Sequence, residues 1–165
     1  MENSAIQPIT TSPYVPVFDA DVSVEPRLQS LRDWWDRKRG ARAMPLRSEV
    51  DPIELRPHIG SLVLIECLPE LYDFRYRLIG TDIVEAYGRD STGKTVRELY
   101  RDSDPEYHDF LLDLYRTVSQ RKVSARGFGT LRPVDRDYRR FDTYLLPLAG
   151  ADGETGWLLN KVLFL

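Results

Sequence analysis

The residues whose spacing comes nearest to a known chemistry are Gly88-Arg89-Asp90-Ser91-Thr92-Gly93-Lys94-Thr95. They fit G-x-x-x-x-G-K-[ST] at every fixed position. In a phosphate-binding loop of that pattern the backbone amides wrap the phosphates, the lysine reaches them, and the hydroxyl binds magnesium. Such a loop needs a strand before it and a long helix after it. Here the preceding residues, Thr81 to Tyr87, read as a helix, and the turn that follows is interrupted from Asp102 to Pro105. No downstream apolar strand ends in a magnesium-binding Asp. The stretch therefore reads as a polar loop over a cavity entrance, with Gly88 and Gly93 supplying turn geometry. A nucleotide-binding loop at 88–95 is the alternative.

Few other groups could do chemistry. The chain has two histidines and one cysteine. His58 follows Pro57 with no companion ligand. His108 sits near the start of a long helix between Tyr107 and Asp109, on the polar face, and reads as solvated. This set does not make a closed zinc site or a nucleophile, histidine and acid arrangement. Cys67, inside an apolar run, reads as a small buried hydrophobe. Asp102 and Asp104 read as caps for the helix opening at Pro105, and Arg121-Lys122 and Arg139-Arg140 as solvated element ends. No catalytic residue and no metal ligand is assigned, so the chain is expected not to be an enzyme.

The composition supports a core without chemical staples. The chain has 165 residues, 42% hydrophobic and 30% charged, which suits one domain. With 23 basic and 26 acidic side chains the formal net charge is −3, against nucleic acid as the main partner. One cysteine permits no internal disulfide and fits a reducing compartment. The N-terminus has no secretory character, and no apolar run reaches the ~18–20 residues of a bilayer span. A cytoplasmic protein without a membrane span is expected.

The elements around the loop follow from periodicity. Residues 1–25 read as a flexible tail with a short extended piece at Tyr14–Phe18. A helix over 26–39 is stopped by Gly40 and carries Leu28, Leu31, Trp34 and Trp35 on one side. That face either packs on the domain or serves as a partner or dimer helix. Asp51 and Pro52 open a short helix with Ile53 and Leu55 inward. Ser61 to Leu68 is an apolar run expected as a central strand covered on both faces. Phe74, Tyr76 and Leu78 alternate with Arg75 and Arg77, which predicts a half-buried strand. A helix capped by Thr81 or Asp82 then carries Ile83, Val84 and Tyr87 to Gly88. One turn is predicted at Val96–Tyr100, and a long amphipathic helix from Pro105 to about Arg121 carries Tyr107, Phe110, Leu111, Leu114, Tyr115 and Val118. Strands follow at Val123–Arg132, Tyr138–Leu148 and Trp157–Leu165, joined by turns at Pro133–Asp137 and Gly150–Gly156. This order predicts an α+β domain: a five-stranded antiparallel sheet with helices on one face and an N-terminal flanking helix.

The order of elements, together with LRDWWDRKRG, MPLRSEVDPIELRPHIGSLVLIE, FRYRLIGTDIVEAYGRDSTGKTVREL and YLLPL, resembles the PAS fold, and within it the bacterial single-domain group PAS_5. The resemblance covers about residues 26–165. It implies a non-catalytic sensor or interaction module in signal transduction, with a small molecule between the sheet and the helices after the second strand. The positions that match that wall are Tyr76, Ile83, Tyr87, Phe110 and Leu114. The other reading of these side chains is that they fill the core themselves, leaving a pure interaction or dimerisation module. The motifs of relatives that bind flavin or haem are not matched: Cys67 lies in a strand without the flavin motif, and His108 is on the wrong face of the helix for haem. The cofactor is left unknown. The partners left open are a small-molecule ligand, a signalling protein and a second copy of the chain.

Overall fold

The computed structural model describes residues 14–19, 25–131 and 136–165. The expected tail at residues 1–13 and 20–24, and most of the expected turn at Pro133–Asp137, lie outside the described residues. In chain order the elements are β1 (Tyr14–Phe18), α1 (Pro26–Arg39), β2 (Leu62–Leu68), β3 (Asp73–Ile79), α2 (Thr81–Tyr87), α3 (Val96–Tyr100), α4 (Pro105–Arg121), β4 (Ala125–Leu131), β5 (Arg136–Ala149) and β6 (Thr155–Phe164), with short 3-10 turns around β2. The strands form one sheet in the order β1-β4-β5-β6-β2-β3, and every neighbouring pair is antiparallel.

Two expectations about the layers need correcting. The sheet has six strands, not five, because Tyr14–Phe18 leaves the tail and pairs with β4, Tyr14 opposite Gly129 and Phe18 opposite Ala125. Pro16 is compatible with this position because β1 is an edge strand, where a missing N–H need not break a ladder. Phe18 anchors the strand by packing on the core, with the Arg121 guanidinium 5.2 Å from its ring centre. The helices also do not lie on one face. Tyr144, Leu146 and Leu148 of β5 and Leu159 and Leu163 of β6 point to α1, whereas Leu145, Leu158 and Val162 point to α4. Both faces of these strands are apolar, so each needs its own cover.

The cover of the first face is α1. The Glu25 carboxylate accepts from the Arg27 amide at 3.2 Å, Pro26 occupies the first turn, and Gly40 ends the helix at φ 57°. Leu28, Leu31, Trp34 and Trp35 are all buried against the sheet. The Trp35 indole donates to the Pro147 carbonyl at 2.9 Å, and that of Trp34 donates to Glu54 at 2.8 Å. The partner or dimer role assigned to these four side chains is therefore corrected. They are inside the chain, and a partner could reach them only after α1 left the sheet.

The second face carries α2, α3 and α4. The N-cap of α4 is Asp104, accepting from the Tyr107 amide at 3.1 Å, and Lys122 closes the helix in the left-handed region. Smaller expectations change here too. The hairpin of β2 and β3 forms, and β2 is covered on both faces, Val63 and Ile65 toward α4 and Leu62 and Leu64 toward α1. A register shift opposite Leu64 and Ile65 breaks the alternation of β3. The extra residue reverses the side-chain phase, so Phe74 and Tyr76 face the helices, Leu78 turns to solvent, and Ile79 takes its place inside. Gly80, not Thr81 or Asp82, is the N-cap of α2. A Cβ on Gly80 would lie 2.2 Å from the Gly60 carbonyl oxygen, so glycine is required by close approach of two backbones. Ile53 is exposed, because residues 52–55 form a turn before the 3-10 segment that buries Leu55 and contains Pro57.

Candidate functional site

Between the sheet and the second helical layer lies a cavity of about 80 Å³. Val63, Phe141, Leu145 and Val162 form its floor on the sheet. Leu111 and Leu114 of α4 close it from above, and Ile79 and Ile83 from the β3–α2 side. These positions follow from local rules: strand residues of one parity, and helix residues three and four apart. Arg89 and Ser91, on the loop after α2, stand where the cavity meets solvent.

The distinctive lining is aromatic and hydroxylated. Tyr76, Tyr87, Tyr100, Tyr107 and Tyr115 converge on the cavity from β3, α2, α3 and α4. The Tyr76 and Tyr115 hydroxyls pair at 2.9 Å. The Tyr100 and Tyr107 rings meet edge to face at 4.9 Å, as Phe74 and Tyr115 do at 5.2 Å. Burial pushes all five phenols above their ordinary range, and their mutual proximity adds to the shift for Tyr76 and Tyr107. They stay neutral and keep their protons as donors. On the sheet side, Asn160 donates to the Thr143 hydroxyl and to the Tyr144 carbonyl. At the mouth, Arg89 donates to the Tyr100 hydroxyl at 3.5 Å, and its guanidinium lies 5.7 Å from that ring's centre.

Of the five wall positions read from the sequence, Tyr76, Ile83, Tyr87 and Leu114 line the cavity. Phe110 does not. It sits half-buried at the margin of α4, its ring stacked on Tyr107 at 6.2 Å. Tyr100, Tyr107, Tyr115, Thr143, Asn160 and Arg89 were not assigned to the wall from sequence. Tyr107 and Tyr115 were on the same helical stripe as Leu114, and Asn160 interrupts an apolar strand, so both signals were present.

The 88–95 stretch is a loop over this entrance, and its backbone is already engaged. The Gly93 amide donates to the Tyr76 carbonyl at 2.7 Å, and the Tyr76 amide donates to the Lys94 carbonyl at 2.9 Å. The Thr95 hydroxyl accepts from the Glu98 amide while Glu98 accepts from the Thr95 amide, capping α3. A helix precedes the loop and only five helical residues follow it. The amide and hydroxyl that a phosphate loop would offer are thus used to pin the loop to β3 and α3.

The remaining reactive groups lie elsewhere. The His108 side chain is 12% exposed, which corrects the solvated reading; its Nδ1 is 2.8 Å from Asp109, and its buried Nε2 has no hydrogen-bond partner. His58 is buried with Nδ1 unpartnered, and burial, with the Lys161 charge nearby, lowers it to about 4. Lys161 is 2% exposed, donates to the Ser61 hydroxyl at 2.6 Å, and is lowered to about 8 mainly by burial. Burial raises the Cys67 thiol to about 11, which makes it unreactive. Among the described residues no group of three or more His, Cys, Asp and Glu side chains could hold a metal ion, and no helix is long and apolar enough to cross a membrane.

An antiparallel sheet with helices folded over a small cavity agrees with what the sequence comparison finds. A family model described as a PAS domain, PAS_5, matches residues 24–161. The chain belongs to this PAS family. No curated protein and no solved structure matches it. Membership makes the chain a signal-sensing or interaction module of a generally non-catalytic kind.

Proposed function

We propose that this PAS domain is a cytoplasmic, non-catalytic sensor that takes a small molecule into the tyrosine-lined cavity and passes its occupancy to a protein partner. The observation that carries this reading is the cavity itself: apolar walls into which five neutral phenols and an asparagine converge. Small-molecule sites combine these features. The route outward is short. Thr143 and Asn160 face the cavity, while the adjacent residues Tyr144 and Lys161 face α1. Asn160 holds the Tyr144 carbonyl, and Tyr144 packs beneath Arg32 of α1 at 5.9 Å. A ligand that favoured one arrangement of Asn160 would shift the population of α1 positions. The lone, inert thiol suits a reducing compartment.

A second reading is favoured by the pairing of Tyr76 with Tyr115. Those hydroxyls satisfy one another without a ligand, so the domain could serve as an interaction module with a filled core. Native mass spectrometry of the gently purified chain, compared with the denatured sample, separates the two. Extra mass released on denaturation supports the sensor. A bare chain whose stability is also unmoved by a metabolite panel supports the interaction module. The same spectrum counts copies, and a dimer would have to use a surface other than the buried face of α1.

A further inference from the structure

The charges around the cavity narrow the class of ligand. Among the described residues no carboxylate lines it, and Arg89 is the one cation in the lining. Arg89 makes no ion pair among the described residues; its hydrogen bond goes to the Tyr100 hydroxyl. Two acids of the loops on either side of α3 are engaged elsewhere. Asp90 accepts from both the amide and the hydroxyl of Thr92, at 2.9 and 2.6 Å, and Asp104 caps α4 on the Tyr107 amide. The guanidinium is therefore held over the Tyr100 ring at the mouth, with its charge uncompensated and a phenol beside it. Behind it Ile83, Leu111 and Val162 give the cavity an apolar stretch of wall.

Resting on the cavity reading, we infer that the ligand is a short-chain monocarboxylate, with its carboxylate at Arg89 and the Tyr100 hydroxyl and its apolar chain against Ile83, Leu111 and Val162. The planar fork of arginine matches a carboxylate in two-point contact, and such charge-assisted bonds are about twice as strong as neutral ones. A cationic ligand would meet Arg89 with no acid among the described lining residues to balance it. A phosphate monoester would bring a second negative charge with no second cation among the described lining residues. Size points the same way. An apolar cavity of ~150 Å³ holds benzene, so about 80 Å³ suits a chain of about three to five carbons with the charged end at the mouth.

Calorimetric titration of the full chain with butyrate, butyramide and butylammonium tests this, in the parent protein, in Arg89→Gln and in the cavity-blocking Leu111→Trp. Butyrate should bind saturably and at least about tenfold more tightly than butyramide, with no binding of butylammonium. Arg89→Gln, an exposed substitution, should abolish that preference, and Leu111→Trp should abolish binding. Should the tryptophan variant not fold, Ile83→Phe blocks the cavity from the opposite wall. Equal affinity for butyramide, a preference that survives Arg89→Gln, or no saturable butyrate binding overturns the carboxylate assignment. Butyramide binding that is lost on blocking would then leave the cavity reading standing. Butyrate binding untouched by either blocker overturns the cavity reading itself.

Discussion

The two faces of one sheet are built differently. The α1 face is closed by leucines and two tryptophans, with indole N–H groups bonded to Pro147 and Glu54. The α4 face, over the same two strands, uses five tyrosines and keeps a cavity. Leucine and tryptophan fill space and interdigitate. Phenols bring hydroxyls that must meet one another, a polar group or a guest, and this holds the walls apart. A solid face supports position, and a hollow face permits response.

The sharpest way to break this contrast is Trp35→Ala. It removes a buried ring and strands the Pro147 carbonyl, and should cost about 3–5 kcal/mol in urea unfolding. A loss below about 1 kcal/mol would mean that α1 is not a structural cover.

Lys161, beneath the N-terminal end of α1, is a buried cation with a hydroxyl partner and no ion pair among the described residues. Lys161→Met should stabilise the domain at neutral pH by about 1–3 kcal/mol. The sign can be checked by titration. The folded lysine is lowered to about 8 from 10.5, so between these values the unfolded chain holds more protons and stability falls as pH falls. His58, lowered to about 4 from 6.5, repeats this in the acid range: stability falls from pH 6.5 toward 4. Lys161→Met should erase the alkaline slope and His58→Gln the acid one. A slope unchanged in its variant removes that residue as the cause.

Overpacking compares the faces directly. Leu146→Phe, on the solid side, should cost about 1–3 kcal/mol, whereas Leu111→Phe, beside the cavity, should cost under about 1 kcal/mol. Equal losses would mean that the cavity cannot accept atoms. A comparably small effect is expected of Tyr76→Phe. It deletes one hydroxyl of the Tyr76–Tyr115 pair and should cost about 0.5–1.5 kcal/mol by thermal unfolding. No loss at all would show that this pair already exchanges with water or a guest.

Much of this architecture was legible in the residues. Period-two and period-3.6 patterns, with Gly40, Gly88 and Pro105 as punctuation, placed most elements, because side-chain direction follows backbone geometry locally. The resemblance to the PAS fold, rather than periodicity, pointed to Tyr76, Ile83, Tyr87 and Leu114 as one wall, and these four line the cavity. What remained was decided by contacts between distant segments. Tyr14–Phe18 becomes a strand only because the free edge of β4 accepts it. The tryptophan face of α1 turns inward only because alternate residues of β5 and β6 leave a second apolar surface to cover. The bulge that exposes Leu78 depends on the pairing of β3 with β2, not on its own alternation. The gathering of Tyr100, Tyr107, Tyr115 and Arg89 around one space arises from three segments, α3, α4 and the loop after α2, that meet only when the chain has folded. Local rules determine which way a side chain points, and tertiary packing alone determines what it points at.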